Sequence, residues 1–166
     1  MKKIDKSSVI YKFSPKNTGV IEVDSGEEVL IESYDCFKNE LKTEEDNLEE
    51  FNWDYINPAT GPIYVNDAEP GDILKIKIKD IKIADQSVMI VAPKEGVMGE
   101  RIKESQTKIV EIEDEMAIFS DKIKIPIKPM IGVIGTAPAE GEIPAGTPGD
   151  HGANMDCKTM VAGNTL

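Results

Sequence analysis

What this sequence has little of removes several function classes at once. Its 19 basic residues are outnumbered by 31 acidic ones, for a formal charge of −12. Nucleic-acid binding needs a basic patch, and here the lysines are interleaved with acids, so no nucleic-acid partner is expected. No apolar run approaches the ~20 residues that span a bilayer, so no membrane partner is expected either. The opening MKKIDKSSVIYKF has basic residues but neither the apolar stretch nor the small-residue cleavage site of a signal peptide. Cysteines are two, Cys36 and Cys157, far apart and without CxxC spacing. With no export signal, a reduced, cytoplasmic setting follows, and both thiols are read as buried and structural. Gly132 and Gly135 lack GxGxxG spacing and no helix signal follows them, which excludes a phosphate loop. Histidine is nearly absent: His151 is the only one.

What is present is strand and turn. The 166 residues are 40% hydrophobic and 30% charged, ordinary for one globular domain. Asp24-Ser25-Gly26 and Glu69-Pro70-Gly71-Asp72 are turn signals, the second with Pro and Gly at the central positions of a type II turn. Strands are expected over Glu27–Ser33, Ile63–Val65, Val88–Val91, Lys108–Glu113, Ala117–Phe119, Lys122–Ile127 and Met130–Ile134. Pro126 points to an edge strand or a bend. The clearest strand pattern is Ile73–Ile83, where Leu74, Ile76 and Ile78 alternate with Lys75, Lys77 and Lys79. The parity flips afterwards, which predicts a bulge or break near Asp80. Only Phe37–Phe51 invites a helix, and its sparse Leu41, Leu48 and Phe51 suit a solvated loop equally well. Trp53 and Tyr55 are read as aromatic anchors of their loop, and Glu111 and Glu113 as a solvated face. Many short strands between Gly/Pro turns give a mainly β, β-sandwich-like class with Gly/Pro-rich loops and little helix.

Chemistry concentrates in residues 138–158, PAEGEIPAGTPGDHGANMDCK. Glu140, Glu142, Asp150 and Asp156 crowd around His151, and carboxylates this close repel unless solvated or neutralised by a cation. Imidazole and carboxylate are both metal ligands. His151 and Asp156 are five residues apart, ~17 Å on a strand and ~140° apart on a helix. They can share an ion only if the backbone turns between them, and Gly152 and Asn154 allow that turn. A solvated acidic loop with a surface histidine fits the same residues. Cys157 beside Lys158, with Glu142 near in sequence, also suggests a thiolate nucleophile, but neighbours on extended chain point opposite ways.

Two blocks carry a resemblance. Pro129 onward reads PMIGVIGTAPAEGEIPAGTPGDHGANMDCK, and Asn57 onward reads NPATGPIYVNDAEPGDILKIKIKDI. Together, in this order and separation, they resemble the acetamidase/formamidase family from near residue 10 to the last residue. The resemblance implies a β-rich, sandwich-like fold and hydrolysis of small aliphatic amides to carboxylate and ammonia, with a divalent metal, zinc or calcium. It implies His151, Asp156 and Asp35 as metal-site residues, the last in Ser33-Tyr34-Asp35-Cys36, and Glu142 and Asn154 as catalytic ones. In that chemistry the ion polarises the amide carbonyl or acidifies a water, and a carboxylate such as Glu142 moves the water's proton to ammonia. Family members continue for about as long again, into a block with another histidine and further acids. The chain is therefore expected to be a single domain, residues 1–166, equivalent to the N-terminal half of that fold. It is expected to be a homo-oligomer, a dimer, or to pair with a C-terminal half. The alternative is a catalytically silent β-domain or truncated product that keeps the fold and lacks half of the site.

Overall fold

The apolar runs in Gln86–Val91 and Gln106–Glu113 pair as antiparallel neighbours, Gln86 opposite Glu111 and Val91 opposite Gln106. They are the centre of the largest sheet in the computed structural model, which describes residues 1–46, 48 and 51–166. The strands in chain order are β1 (Lys2–Ile4), β2 (Val9–Ile10), β3 (Lys12–Phe13), β4 (Ile21–Val23), β5 (Val29–Ile31), β6 (Ala59–Thr60) and β7 (Ile63–Val65). There follow β8 (Gln86–Val91), β9 (Gln106–Glu113), β10 (Met116–Ser120), β11 (Ile123–Pro126), β12 (Val133–Gly135), β13 (Ile143–Pro144) and β14 (Gly152–Asn154). The chain is mainly β and sandwich-like, with short 3-10 turns at Trp53–Tyr55 and Gly99–Arg101.

The large sheet runs β11-β10-β9-β8, and five two-stranded pairs complete the described ladders. Pro126 ends an edge strand, where its missing N–H leaves no ladder bond unmade. Within β8, Val88 and Ile90 pack on a cluster of Phe37, Leu41, Leu48, Phe51 and Ala92. Burying each large side chain there contributes about 1.5–3 kcal/mol. The segment around residues 37–51 is thus the lid on one sheet face. Among its described residues it has turns and a 3-10 conformation at Leu48 but no α-helix, and Asn47, Glu49 and Glu50 lie outside the described residues. Its few apolar residues, Leu41, Leu48 and Phe51, are buried in a core rather than solvated.

A second cluster holds the Gly/Pro-rich segment in place. Phe13, Ala145 and Ala153 are buried together, with Ile10, Ala59 and Val133 packed against them. It is assembled by three antiparallel pairs: β2 with β6, β3 with β13, and β12 with β14. The pairs β1–β5 and β4–β7 are parallel.

Three expectations need correction. Ile73–Ile83 is not a strand: its pairing ends at Ile78, so a break rather than a bulge precedes Asp80. Lys77 makes only an isolated bridge to Thr165, because among the described residues the segment has one short neighbour and none on its other edge. The strand expected over Met130–Ile134 is Val133–Gly135, since the Gly132 carbonyl is taken by the N–H groups of Met155 and Asp156 at 3.0 and 3.2 Å. Cys36 and Cys157 are both exposed, in loops rather than in the core. The type II turn at Glu69–Asp72 is present: the Asp72 N–H donates to the Glu69 carbonyl at 3.0 Å, and Gly71 has φ +104°.

Candidate functional site

His151 is set by a tight turn. The N–H of Gly149 donates to the Gly152 carbonyl at 3.0 Å, and that of Gly152 to the Gly149 carbonyl at 2.9 Å. Gly152 has φ +96°, and a Cβ there would run into the Ile134 carbonyl. The turn aims the imidazole at Phe13, edge to face, with ring centroids 5.5 Å apart. The His151 carbonyl meanwhile accepts from the Thr136 N–H at 2.8 Å. Nδ1 lies 3.2 Å from where a Cβ on Gly149 would sit, so that position has no room for a larger residue without displacement of the ring. Nε2 is buried and has no hydrogen-bond partner. The ring borders an open depression of about 540 Å³ shared with Thr136, Pro138, Ile143, Thr147 and Asp150.

Glu142 belongs to this end of the segment. It precedes β13, whose Ile143 pairs with Phe13. Its carboxylate is exposed, 4.0 Å from the Lys12 ammonium, and it lines a smaller depression of about 310 Å³ with Tyr11, Lys12 and Asn17.

Asp156 and Asn154 stand at the other end. Asn154 is opposite Val133 in the β12–β14 ladder, and its N–H donates to the Ala145 carbonyl at 3.0 Å. Asp156 follows with φ +45°, tolerable for an aspartate. Asp156 Oδ1 and Asn154 Oδ1 converge above Gly132, 2.9 and 3.8 Å from where its Cβ would be. Only the absence of a side chain at Gly132 lets them do so.

Asp35 enters through Cys36. One oxygen of Asp35 accepts the N–H groups of Phe37 and Asn39 at 2.9 and 2.7 Å, and Asn39 Oδ1 accepts the Asp35 N–H at 2.9 Å. That reciprocal cap fixes the loop carrying Cys36. Loss of hydration first, then the negative charges of Asp35 and Asp156, push the Cys36 thiol up to about 11. Cys157 is lowered instead, chiefly by the Thr159 hydroxyl at 3.1 Å from its sulfur.

Apart from Asp35, the sequence-predicted residues thus form two groups. His151 and Glu142 flank the Phe13 end, Asp156 and Asn154 meet at the Gly132 end, and Asp35 stands in the capped loop that carries Cys36. The ladder partners of His151 and Asp156 are Thr136 and Gly132, four residues of β12 and its flanks apart, about 13 Å of extended backbone. Among the described residues no three of His, Cys, Asp or Glu come together as a metal would need. The Asp156–Asn154 oxygen pair has donor chemistry suited to a hard cation, and it is part of a ligand set rather than a whole one.

Sequence reasoning missed Asn57. Its N–H donates to the Cys36 carbonyl at 2.8 Å, and its Nδ2 lies 3.1 Å from where a Cβ on Gly146 would sit. It thereby ties the Asp35–Cys36 loop to the turn before β14. Its φ of +55°, before a proline, is a signal that an Asn-Pro pair offers only as "turn".

Residues 2–147 match the model of the acetamidase/formamidase family. The crystal structure of an acetamidase from Bacillus halodurans is 40% identical, with a TM-score of 0.96 over 98% of this chain and 55% of its own. A predicted acetamidase/formamidase from Thermoanaerobacter tengcongensis is 44% identical, with a TM-score of 0.95 over 99% of this chain and 55% of its own. An acetamidase from Yersinia enterocolitica, 23% identical with a TM-score of 0.85 over 96% of this chain and 52% of its own, shares the fold. No curated protein was found to match the chain. The chain spans about half the length of these solved relatives.

Proposed function

The chain belongs to the acetamidase/formamidase family, and from that premise we propose that it supplies part of the active site of a hydrolase that cleaves small aliphatic amides, formamide or acetamide, to carboxylate and ammonia. The observation that carries the reading is the family match over residues 2–147, joined to a segment in which six glycines from Gly132 to Gly152 hold acids, an amide and a histidine on closely approaching backbone.

In this reading the Gly132 end is the cation side. Asp156 and Asn154 would hold a divalent ion, zinc or calcium, with Asp35 adding negative charge. The chemistry it would supply is polarisation of the amide carbonyl and a lowered pKa for water. The Phe13 end is the proton side. His151 meets substrate across the open depression, and Glu142 takes a proton from water and returns it to the leaving amine. The remaining ligands come from the portion of the relatives' length that this chain does not match. The proposed partners are the small amide and either a second copy of the chain, as a dimer, or a polypeptide equivalent to the C-terminal half. Nucleic acid and membrane have no place in the proposal, and the compartment proposed is the cytoplasm.

One observation favours a second reading, a β-domain that keeps the fold without catalysis: no three metal-ligating side chains meet among the described residues. The test is a fusion of residues 1–166 to the unmatched part of the Thermoanaerobacter relative. Ammonia release from formamide is expected from the fusion, lost on chelation, restored by zinc or calcium, and reduced at least about a hundredfold by Asp156→Ala. Glu111→Ala, on a solvated strand face, leaves it unchanged. A folded fusion that releases no ammonia, or one indifferent to Asp156→Ala, overturns the reading.

A further inference from the structure

Leu74–Lys79 carries the strongest strand pattern in the sequence, yet among the described residues it has a neighbour on one edge only. Ile76 exchanges backbone hydrogen bonds with Leu166 in both directions, each 2.9 Å. The N–H of Ile78 donates to the Asn164 carbonyl at 3.0 Å, and its carbonyl accepts the Gly163 N–H at 2.8 Å. In antiparallel pairing, alternate residues direct their backbone groups to the same edge. Those of Lys75, Lys77 and Lys79 therefore face the other edge, where they bond to no backbone group among the described residues. Ile78 is turned inward at 5% exposure, while Leu74 is 44% and Ile73 95% exposed.

We propose that this edge receives an added β-strand from the polypeptide equivalent to the part of the relatives' length that this chain does not match. The partner strand is apolar on the face shared with Leu74 and Ile76 and acidic opposite Lys75 and Lys77. The proposal rests on the family reading above and deepens it by naming where the partner docks. Three observations select this occupant. A strong local β preference left without a ladder is a conflict that a further strand removes. The relatives are nearly twice as long as the matched region. A second copy is the wrong partner here, because antiparallel self-pairing about Lys77 sets lysine against lysine, and like charges directly opposite destabilise a sheet. Lys79 is already paired with Glu28, which leaves the Lys75 and Lys77 ammonium groups to choose the incoming strand.

The test is residue-resolved amide hydrogen exchange on the 166-residue chain with two capped peptides, one alternating valine and glutamate, the other valine and lysine. The acidic peptide is expected to slow exchange at Lys75, Lys77 and Lys79 by about tenfold, with Ile76 and Ile78 little changed, and the basic peptide to do nothing. Lys77→Pro removes an N–H that bonds nothing in this structure. It should abolish the protection and keep the melting temperature. Lys75→Glu with Lys77→Glu should reverse the peptide preference. No protection by the acidic peptide, equal protection by both, or a dimer of the chain that Lys77→Pro dissociates overturns the proposal. The readout is exchange rather than ammonia, so a chain without amide turnover can pass and an active chain can fail.

Discussion

At the scale of single residues, the two thiols are shifted in opposite directions. Loss of hydration first, and then the neighbouring Asp35 carboxylate, raise Cys36 to about 11, whereas the Thr159 hydroxyl lowers Cys157 below its ordinary value of 9.0. The thiolate is the reactive form, so at pH 8 its population at Cys157 exceeds that at Cys36 by at least about a hundredfold. A thiolate of higher pKa is the better nucleophile, and this offsets part of the gap, leaving iodoacetamide about tenfold faster at Cys157. Peptide mapping after timed alkylation checks it, and faster labelling of Cys36 defeats it. The sign of the pH effect on folding follows from the same shift. The folded state keeps a proton on Cys36 that the unfolded chain releases near pH 9, so stability falls between pH 9 and about 11. Cys36→Ser removes that loss. In the amide-hydrolase fusion, alkylation of Cys157 should leave turnover intact while chelation abolishes it, and the reverse pattern would give the reaction to a thiolate.

Among the elements, the tight turn before β14 is the one whose sequence has least freedom. Gly152 and Gly26 both have positive φ, +96° and +89°, yet a Cβ on Gly26 meets nothing within 4 Å while one on Gly152 meets the Ile134 carbonyl and Gly135. Gly26→Ala should therefore cost only the left-handed penalty of about 1–2 kcal/mol. Gly152→Ala adds a backbone clash and should cost about 3 kcal/mol or more. Urea unfolding of both variants separates the two terms, and equal losses would show that the clash is relieved by movement of β12. The same contrast explains what could be read from residues alone. Glu69–Asp72, β8 and β9 are visible because their determinants are local: a Pro-Gly pair and short runs rich in β-branched residues. In the parallel pairs β1–β5 and β4–β7, whose three-residue strands are distant in sequence, β5 and β7 are marked by apolar runs beside turn signals, whereas nothing local marks β1 and β4. Ile73–Ile83 shows the converse, a local pattern that among the described residues finds only one short neighbour. The site was legible as a list and not as a shape. His151, Asn154 and Asp156 do lie on turning backbone at Gly152, but β14 runs between them and carries His151 and Asp156 to opposite ends of a ladder.

For the molecule as a whole, the question is what the isolated chain can do. It aligns with 98–99% of its own length but only 55% of two relatives, and its candidate residues stand in two groups about 13 Å apart along the backbone. General acid–base chemistry needs the acid, the base and the scissile amide within hydrogen-bond reach of one another, and no described cluster of three ligating side chains offers a centre on which to arrange them. Apolar surface is left over as well. Period 2 puts Met89 and Val91 on the sheet face opposite the Phe37 cluster, and the register carries that face across β9 and β10 to Ile125; the three are 46%, 43% and 43% exposed. Lys108 is the one lysine opposite Met89 and Val91, facing Met89, and exposed apolar side chains of this kind associate in water. The expected behaviour of the 166-residue chain alone is therefore a dimer or larger species by light scattering, with formamide and acetamide turnover near background. Met89→Lys with Val91→Lys should return it to monomer without restoring turnover, because the apolar face and the two residue groups are separate features of the fold. A monodisperse monomer that hydrolyses formamide at a rate linear in its concentration would overturn this account, since His151, Glu142, Asp156 and Asn154 would then suffice from where they stand.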